Sequence, residues 1–382
     1  MNRLEHALST AVLGVLGILF DRLPIQRRIV LATARVGHLE GNLAFIAAEV
    51  RRSRPGARIV TLLEPYSYGF LGKVAYLLRL VRGTYLLRTS SLFVVDNAYL
   101  PIHVAPHRPG TTVVQVWHAV GALKRFGADT TTGLAEPERS FLHHHYDYVV
   151  CAGDASREPY SRALRTPLAR VIPLGAPRTD FFFDDDAMTG ARDRVLAAYP
   201  RLRDGRVVLY APTFRGRGRA KRGAPGFDPA VVRAALGPGH VLAIKTHPNL
   251  DPAHVTADGF DVVIDRRHEI NEVLVAADVL VTDYSSSIYE WALLRRPLVL
   301  LTEDLPEYER DPGMYLDAAT ELIGEHVTDP ATLPAAIAAA RVDEAAWTAF
   351  IQRRIEACDG RASARFVERF VPERAGVTRR PA

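Results

Sequence analysis

Three short stretches of this sequence hold residues able to grip an anion or move a proton. In VLVTDYSSSIYE the apolar run from Val279 reads as a strand, and Asp283, Ser285, Ser286 and Ser287 fall where it gives way to a helix. Free N–H donors and the positive end of a helix dipole meet at such a junction, so a phosphate could be held there without a metal or a Gly-rich loop. A purely local reading competes with this one. Ser287 and Glu290 stand three apart, as in a capping box that satisfies the helix's own amides. Capping uses one serine, however, and three hydroxyls beside Asp283 leave others for a ligand.

Two histidines also follow apolar runs. His118 ends VVQVWH and His247 ends AIKTH, so each imidazole should stand at a strand end, one in each half of the chain. A ring with a pKa near neutrality can serve as a general base or as a cation for phosphate. A lone histidine is more often structural. Here the equivalent positions, with Lys124 and Arg125 after one and Lys245 beside the other, favour function. A third strand end, YAPTFR, offers Thr213 and Arg215 as hydroxyl and guanidinium ligands for phosphate oxygens. Its continuation to Arg222 carries five cations and no anion, which suits a solvated loop, a polyanionic polymer or acidic headgroups alike.

The elements needed to position these residues are legible as a βαβ rhythm. Strands are expected near residues 28–32, 58–63, 92–96, 112–117, 146–151 and 170–175, with helices at 41–52, about 68–82 and about 155–164. The rhythm restarts at 206–210 and continues at 241–245, 262–265, 279–283 and 298–302. The expected fold is α/β, with two doubly wound, Rossmann-like domains facing a central cleft at their strand ends. The division is 1–21 as an apolar N-terminal segment, 22–190 as an N-terminal domain and 191–372 as a C-terminal domain. Residues 373–382 read as a disordered basic tail.

Length and composition agree. A chain of 382 residues, nearly half apolar and about a quarter charged, suits two packed domains and excludes a fibrous or disordered class. Cys151 and Cys358 stand far apart with no metal-ligand spacing, which suggests neither a disulfide framework nor a zinc site. The apolar stretch Ala7–Phe20 falls short of the roughly 20 residues needed to span a bilayer, and it lacks a small-residue cleavage site. It reads either as a helix packed on the protein's own surface or as one lying in a membrane interface. The net charge of +5 is mild but clustered, notably at Arg22, Arg27 and Arg28 and at Lys73, Arg79 and Arg82. No nucleic-acid motif accompanies these clusters, and nucleic acid is not an expected partner.

Taken in order, QVWHAVGALKRFG, YDYVV, PLGAPRTDFF, YAPTFR, IKTHP and VTDYSSSIYEWALLRRPLVLLTEDLPEYER resemble the blocks of the CDP-glycerol glycerophosphotransferases of teichoic-acid and capsule synthesis. The resemblance covers about residues 90–320, with a looser match at Gly41-Asn42. It implies a GT-B-like fold with 22–190 as the acceptor-side domain and 191–372 as the nucleotide-donor domain. It also implies transfer of a polyol phosphate, glycerol phosphate foremost, from a CDP-activated donor to a lipid-linked or polymeric hydroxyl acceptor, with release of CMP. It implies His118 as the base, and His247, Thr213, Arg215, Ser285 and Ser286 around the donor diphosphate. Lys245, Asp283, Ser287 and Glu290 are added as donor-side candidates, and Lys124, Arg125, Lys73 and Arg79 as acceptor or membrane contacts. No cofactor is required, although a divalent cation such as Mg2+ is admissible. The expected location is peripheral, at the cytoplasmic face of the membrane. The sequence departs from the pattern at Ala119-Val-Gly121, where many members have glycine directly after the histidine, and at Pro248. Two alternatives remain open: a sugar-nucleotide glycosyltransferase on the same fold, and a non-catalytic polymer- or membrane-binding protein.

Overall fold

A computed structural model describes residues 3–63, 70–130, 140–215, 222–245, 258–265 and 267–373. Its first half is a six-stranded parallel sheet made of β1 (Gln26–Thr33), β2 (Arg58–Leu63), β3 (Ser90–Val95), β4 (Thr112–Gln115), β5 (Tyr148–Cys151) and β6 (Val171–Pro173), in the order β2-β1-β3-β4-β5-β6. The second half pairs β7 (Arg206–Tyr210), β10 (His240–Lys245), β11 (Val262–Ile264), β12 (Val279–Thr282), β13 (Leu298–Leu301) and β14 (Glu325–Val327), all parallel, in the order β11-β10-β7-β12-β13-β14. A small antiparallel ribbon of β8 (Phe214–Arg215) and β9 (Arg222–Gly223) follows β7.

The strands are near-continuous apolar runs because helices cover both sheet faces. Val30, Leu31, Val94, Val113, Leu209, Leu242, Leu280 and Val299 are all fully buried. In helix α2 (Gly41–Ser53) the periodic residues Leu43, Ile46, Ala47 and Val50 form the inward stripe.

The chain does not stay in the half where its order puts it. The last helix, Ala362–Phe370, packs Phe366 and Val367 against Leu43, Ile46, Val50 and Leu31 of the first half. The sequence reading assigns this segment to the second domain. Its contacts put it in the first, because its amphipathic face meets α2 there, and each such side chain buried contributes about 1.5–3 kcal/mol. Of the expected tail, 373–382, all but Glu373 lies outside the described residues, as do residues 216–221 of the basic run from Arg215 to Arg222.

The apolar N-terminus forms helix α1 (Arg3–Phe20), which packs Leu13 and Leu16 against Leu80 of helix α3 (Phe70–Thr89), and against Leu100 and Val104. Arg88 of α3 donates to Asp21 at 3.2 Å just beyond the end of α1. Among the described residues no helix is long and apolar enough to cross a membrane.

Candidate active site

His118 stands just past β4, in a turn that the backbone builds with some strain. Trp117 has φ 49, a left-handed conformation that an aromatic residue rarely adopts. Side-chain amides hold the turn. Gln115 accepts from Trp117 N–H at 2.8 Å, and Asn42, at the start of α2, donates to the carbonyls of Val116 and Trp117 at 3.1 and 2.9 Å. The strand therefore ends two residues earlier than the sequence pattern suggests, and the ring is aimed by the turn. His118 Nδ1 lies 3.3 Å from the Asp96 carbonyl at the end of β3. A carbonyl only accepts, so Nδ1 carries the proton and the neutral ring has its lone pair on Nε2.

Around this ring lie residues that sequence reasoning did not single out. The Asp96 carboxylate is buried, with Arg35 at 3.7 Å, and burial pushes its pKa up to about 6. Arg178, from the turn Pro177–Phe183, donates to the His118 carbonyl at 3.3 Å. Arg178 lies inside PLGAPRTDFF, so its block was visible although its role was not.

The loop after His118 needs a glycine at 121 rather than 119. Gly121 has φ +65, and a Cβ there would lie 2.7 Å from the Tyr289 ring. Tyr160, a core residue of the first half, donates to the carbonyls of Ala119 and Gly121 at 3.0 and 3.1 Å and holds the loop from its own side while Tyr289 meets it from the other. The same seam continues at Lys124, which bridges to Met314, and at Arg125, whose N–H donates to Gly313 at 3.0 Å. Lys124 Nζ also lies 5.5 Å from the centre of the Tyr308 ring. These two cations therefore belong to the seam, whereas Arg79 sits on α3. The backbone of Lys73 is in α3 too, but its side chain lies outside the described set.

On the second half, the ends of β7 and β12 meet in a compact ionic cluster. Asp283, almost fully buried, accepts from Thr213 N–H at 2.9 Å, from its hydroxyl at 2.7 Å and from Arg215 at 2.8 Å. Arg215 also reaches Asp304 with Nε at 2.6 Å and Nη2 at 3.1 Å, a bidentate fork. Burial opposes the Arg215 charge, but Asp304 and Asp283 outweigh it and hold the guanidinium firmly protonated. Burial would raise the Asp304 pKa, yet Arg215 keeps it below the usual carboxylate range. The rings of Tyr308 and Tyr284 flank the guanidinium at 4.6 and 5.3 Å. Arg215 thus has Nε, Nη1 and Nη2 each engaged by Asp304 or Asp283, with Nη1 also donating to the Thr213 hydroxyl at 2.9 Å, whereas the sequence reading had them open to phosphate.

The serine junction is also arranged differently from a capping box. The helix Ser287–Leu294 begins after Ser286, which makes no side-chain cap. Ser287 donates to Ser285 Oγ at 2.8 Å, and Glu290 turns away from the helix start to pair with Arg178 at 3.0 Å. Ser285 and Ser286 stay partly exposed at the junction. Lys245, buried at the end of β10, donates to the Asp265 carbonyl. His247 lies outside the described residues. Among the described residues no group of three or more His, Cys, Asp or Glu is placed to hold a metal.

Residues 19–371 match the family described as CDP-Glycerol:Poly(glycerophosphate) glycerophosphotransferase. The chain belongs to this family. It is 31% identical over 378 residues to the teichoic acid ribitol-phosphate primase of Bacillus spizizenii, covering 94% of this chain and 96% of that one. It is 26% identical to the teichoic acid glycerol-phosphate primase of Bacillus subtilis, over 63% of this chain and 64% of the relative. Against the poly(ribitol-phosphate) polymerase of B. spizizenii, at 29% identity, it spans 60% of the relative's length. The solved wall teichoic acid polymerase TagF superposes with a TM-score of 0.71 at 18% identity, covering 96% of this chain and 97% of that one, a likeness of GT-B-like fold. The resemblance expected from the ordered blocks is thus upheld, and the chain is a transferase that moves a polyol phosphate from a CDP-activated donor.

Proposed function

We propose that His118 is the general base of this transfer. An acceptor hydroxyl attacks the donor's β-phosphorus, its proton passes to His118 Nε2, and the new P–O bond forms as the bond to CMP breaks. The reading rests on one observation above all: the contact between His118 Nδ1 and the Asp96 carbonyl, which selects the tautomer with a basic Nε2. Ser285, Ser286 and the amides at the start of Ser287–Leu294 hold the diphosphate, and His247, Thr213 and Lys245 are assigned to the same donor-side role. Arg215, locked between Asp283 and Asp304, holds Thr213 in place as part of a rigid donor-side platform. Transfer proceeds without a resident metal, so full turnover after EDTA treatment is expected, and a strict Mg2+ requirement would remove this part of the reading.

For the polyol, near full-length similarity to a ribitol-phosphate primase favours CDP-ribitol over the glycerol expected from motifs, and single-unit or short-chain transfer over polymerisation. Incubation with CDP-ribitol, CDP-glycerol and UDP-sugars, reading nucleotide release and product length, tests both points. CMP from CDP-ribitol with short products is expected. UDP release would point to a glycosyltransferase instead.

The acceptor side works at an anionic membrane surface, on its cytoplasmic face. The outer face of α1 exposes Leu4, Leu8, Val15 and Ile18, and α3 beside it exposes Leu77 and Leu78, with Arg22 and Arg79 close in sequence. Flotation with vesicles containing anionic lipid should be lost in a Leu8→Ser, Val15→Ser, Ile18→Ser variant. Equal flotation of that variant and the wild type would exclude this face.

A further inference from the structure

The base and the serine junction belong to different halves, so their spacing depends on whatever crosses the seam between them. One largely buried side chain, with 12% of its surface exposed, does so on the His118 turn itself. Arg178 Nη1 donates to the His118 carbonyl at 3.3 Å, while Nη2 reaches Asn271 Oδ1 at 2.9 Å and Glu290 Oε1 at 3.0 Å. Its own N–H donates at 2.9 Å to Asn42 Oδ1, and Asn42 is the residue whose amide holds the carbonyls of Val116 and Trp117. Asn271 lies in the helix Ile270–Ala276, and Glu290 in the helix that starts at the serine junction.

We propose that Arg178 is a positioning residue, tying the His118 turn to the helix of the serine junction so that base and diphosphate site keep one fixed separation. A buried ion pair is weak support for stability, because desolvation of both charges offsets most of their attraction. What this pair supplies is geometry. The guanidinium is planar and rigid, its two nitrogens serve opposite sides of the seam, and neither lysine nor glutamine can reproduce that fork. The left-handed Trp117 gives the turn a reason to need holding, since relaxation toward ordinary backbone would swing His118 away from its Asp96 contact.

The inference rests on His118 being the base, and its test separates the two. Hydrogen exchange over residues 116–121 reads the turn directly, with no substrate. In Arg178→Gln the exchange there should quicken at least about 10-fold while β7 and β12 keep their protection. kcat should fall by about 100-fold, the scale of a 1 Å misplacement, with donor KM within about threefold. Arg178→Lys should recover only part of either. Should Arg178→Gln fail to fold, Asn271→Ala and Glu290→Gln release the far side of the fork and should loosen the same residues. Unchanged exchange at 116–121 in these variants would overturn the proposal. So would a rise in donor KM at full kcat in Glu290→Gln, which would make Glu290 a donor ligand. If His118→Ala keeps turnover while Arg178→Gln still loosens the turn, the base assignment fails and the positioning role stands.

Discussion

The two strand-end sites solve different electrostatic problems. The His118 turn is held by dipoles and a single cation on its main chain and ring: the Asp96 carbonyl, the amides of Asn42 and Gln115, and the Arg178 guanidinium bound to the His118 carbonyl. The Thr213–Arg215–Asp283–Asp304 cluster is built from one cation locked between two carboxylates, with the Thr213 hydroxyl bonded into it. A group that must pass a proton at each turnover needs its ring aimed, which these contacts do. A site that must hold a diphosphate benefits from groups fixed before the ligand arrives, which costs no reorganisation during reaction.

That contrast can be broken at several points. The largest effect belongs to His118→Ala, which should lower kcat by about 10²–10⁴-fold while calorimetric donor affinity is kept. Loss of donor binding together with turnover would move His118 to the donor side. Next comes Asp283→Asn, which leaves Arg215 with one carboxylate and removes half of a buried pair. Denaturant unfolding should register a loss of about 3 kcal/mol, and donor affinity should fall with it. If stability is untouched, the cluster is not the rigid platform described above.

Gly121→Ala tests the joint between the regions. The positive φ and the Tyr289 ring both oppose a Cβ, so a loss of about 1–3 kcal/mol is expected, with a drop in kcat as the loop shifts. Unaltered melting and kinetics would show that the seam yields freely. The smallest effect concerns Asp96, whose folded pKa is raised to about 6 by burial. For an acid with a raised folded pKa, the native state binds the extra proton. The stabilising contribution is therefore present below the unfolded pKa and lost as pH rises through 6. Asp96→Asn should thus melt higher than wild type at pH 7–8 by the equivalent of about 1–3 kcal/mol, with the gain vanishing toward pH 4. An advantage independent of pH would assign the effect to packing instead.

Much of this molecule is written in local pattern. Alternating apolar runs and amphipathic stretches announce the βαβ rhythm, and the polar residues just after the strands mark His118, Thr213, Arg215 and the serines, because strand, turn and helix are each decided within a few residues. The resemblance of ordered blocks adds the chemistry. What local pattern could not carry is pairing across distance. Glu290 reads as a capping partner three residues from Ser287, yet it is claimed by Arg178, 112 positions earlier in number. Arg215 reads as an open phosphate ligand, yet Asp304 occupies its fork. The last helix reads as part of the second domain, yet Phe366 and Val367 fill the core of the first. Sequence alone determined which residues could do the chemistry and which elements carry them. Tertiary structure decided which charges are already spent on one another and which side chain spans the seam, because those outcomes depend on burial, and burial is a property of the assembled chain.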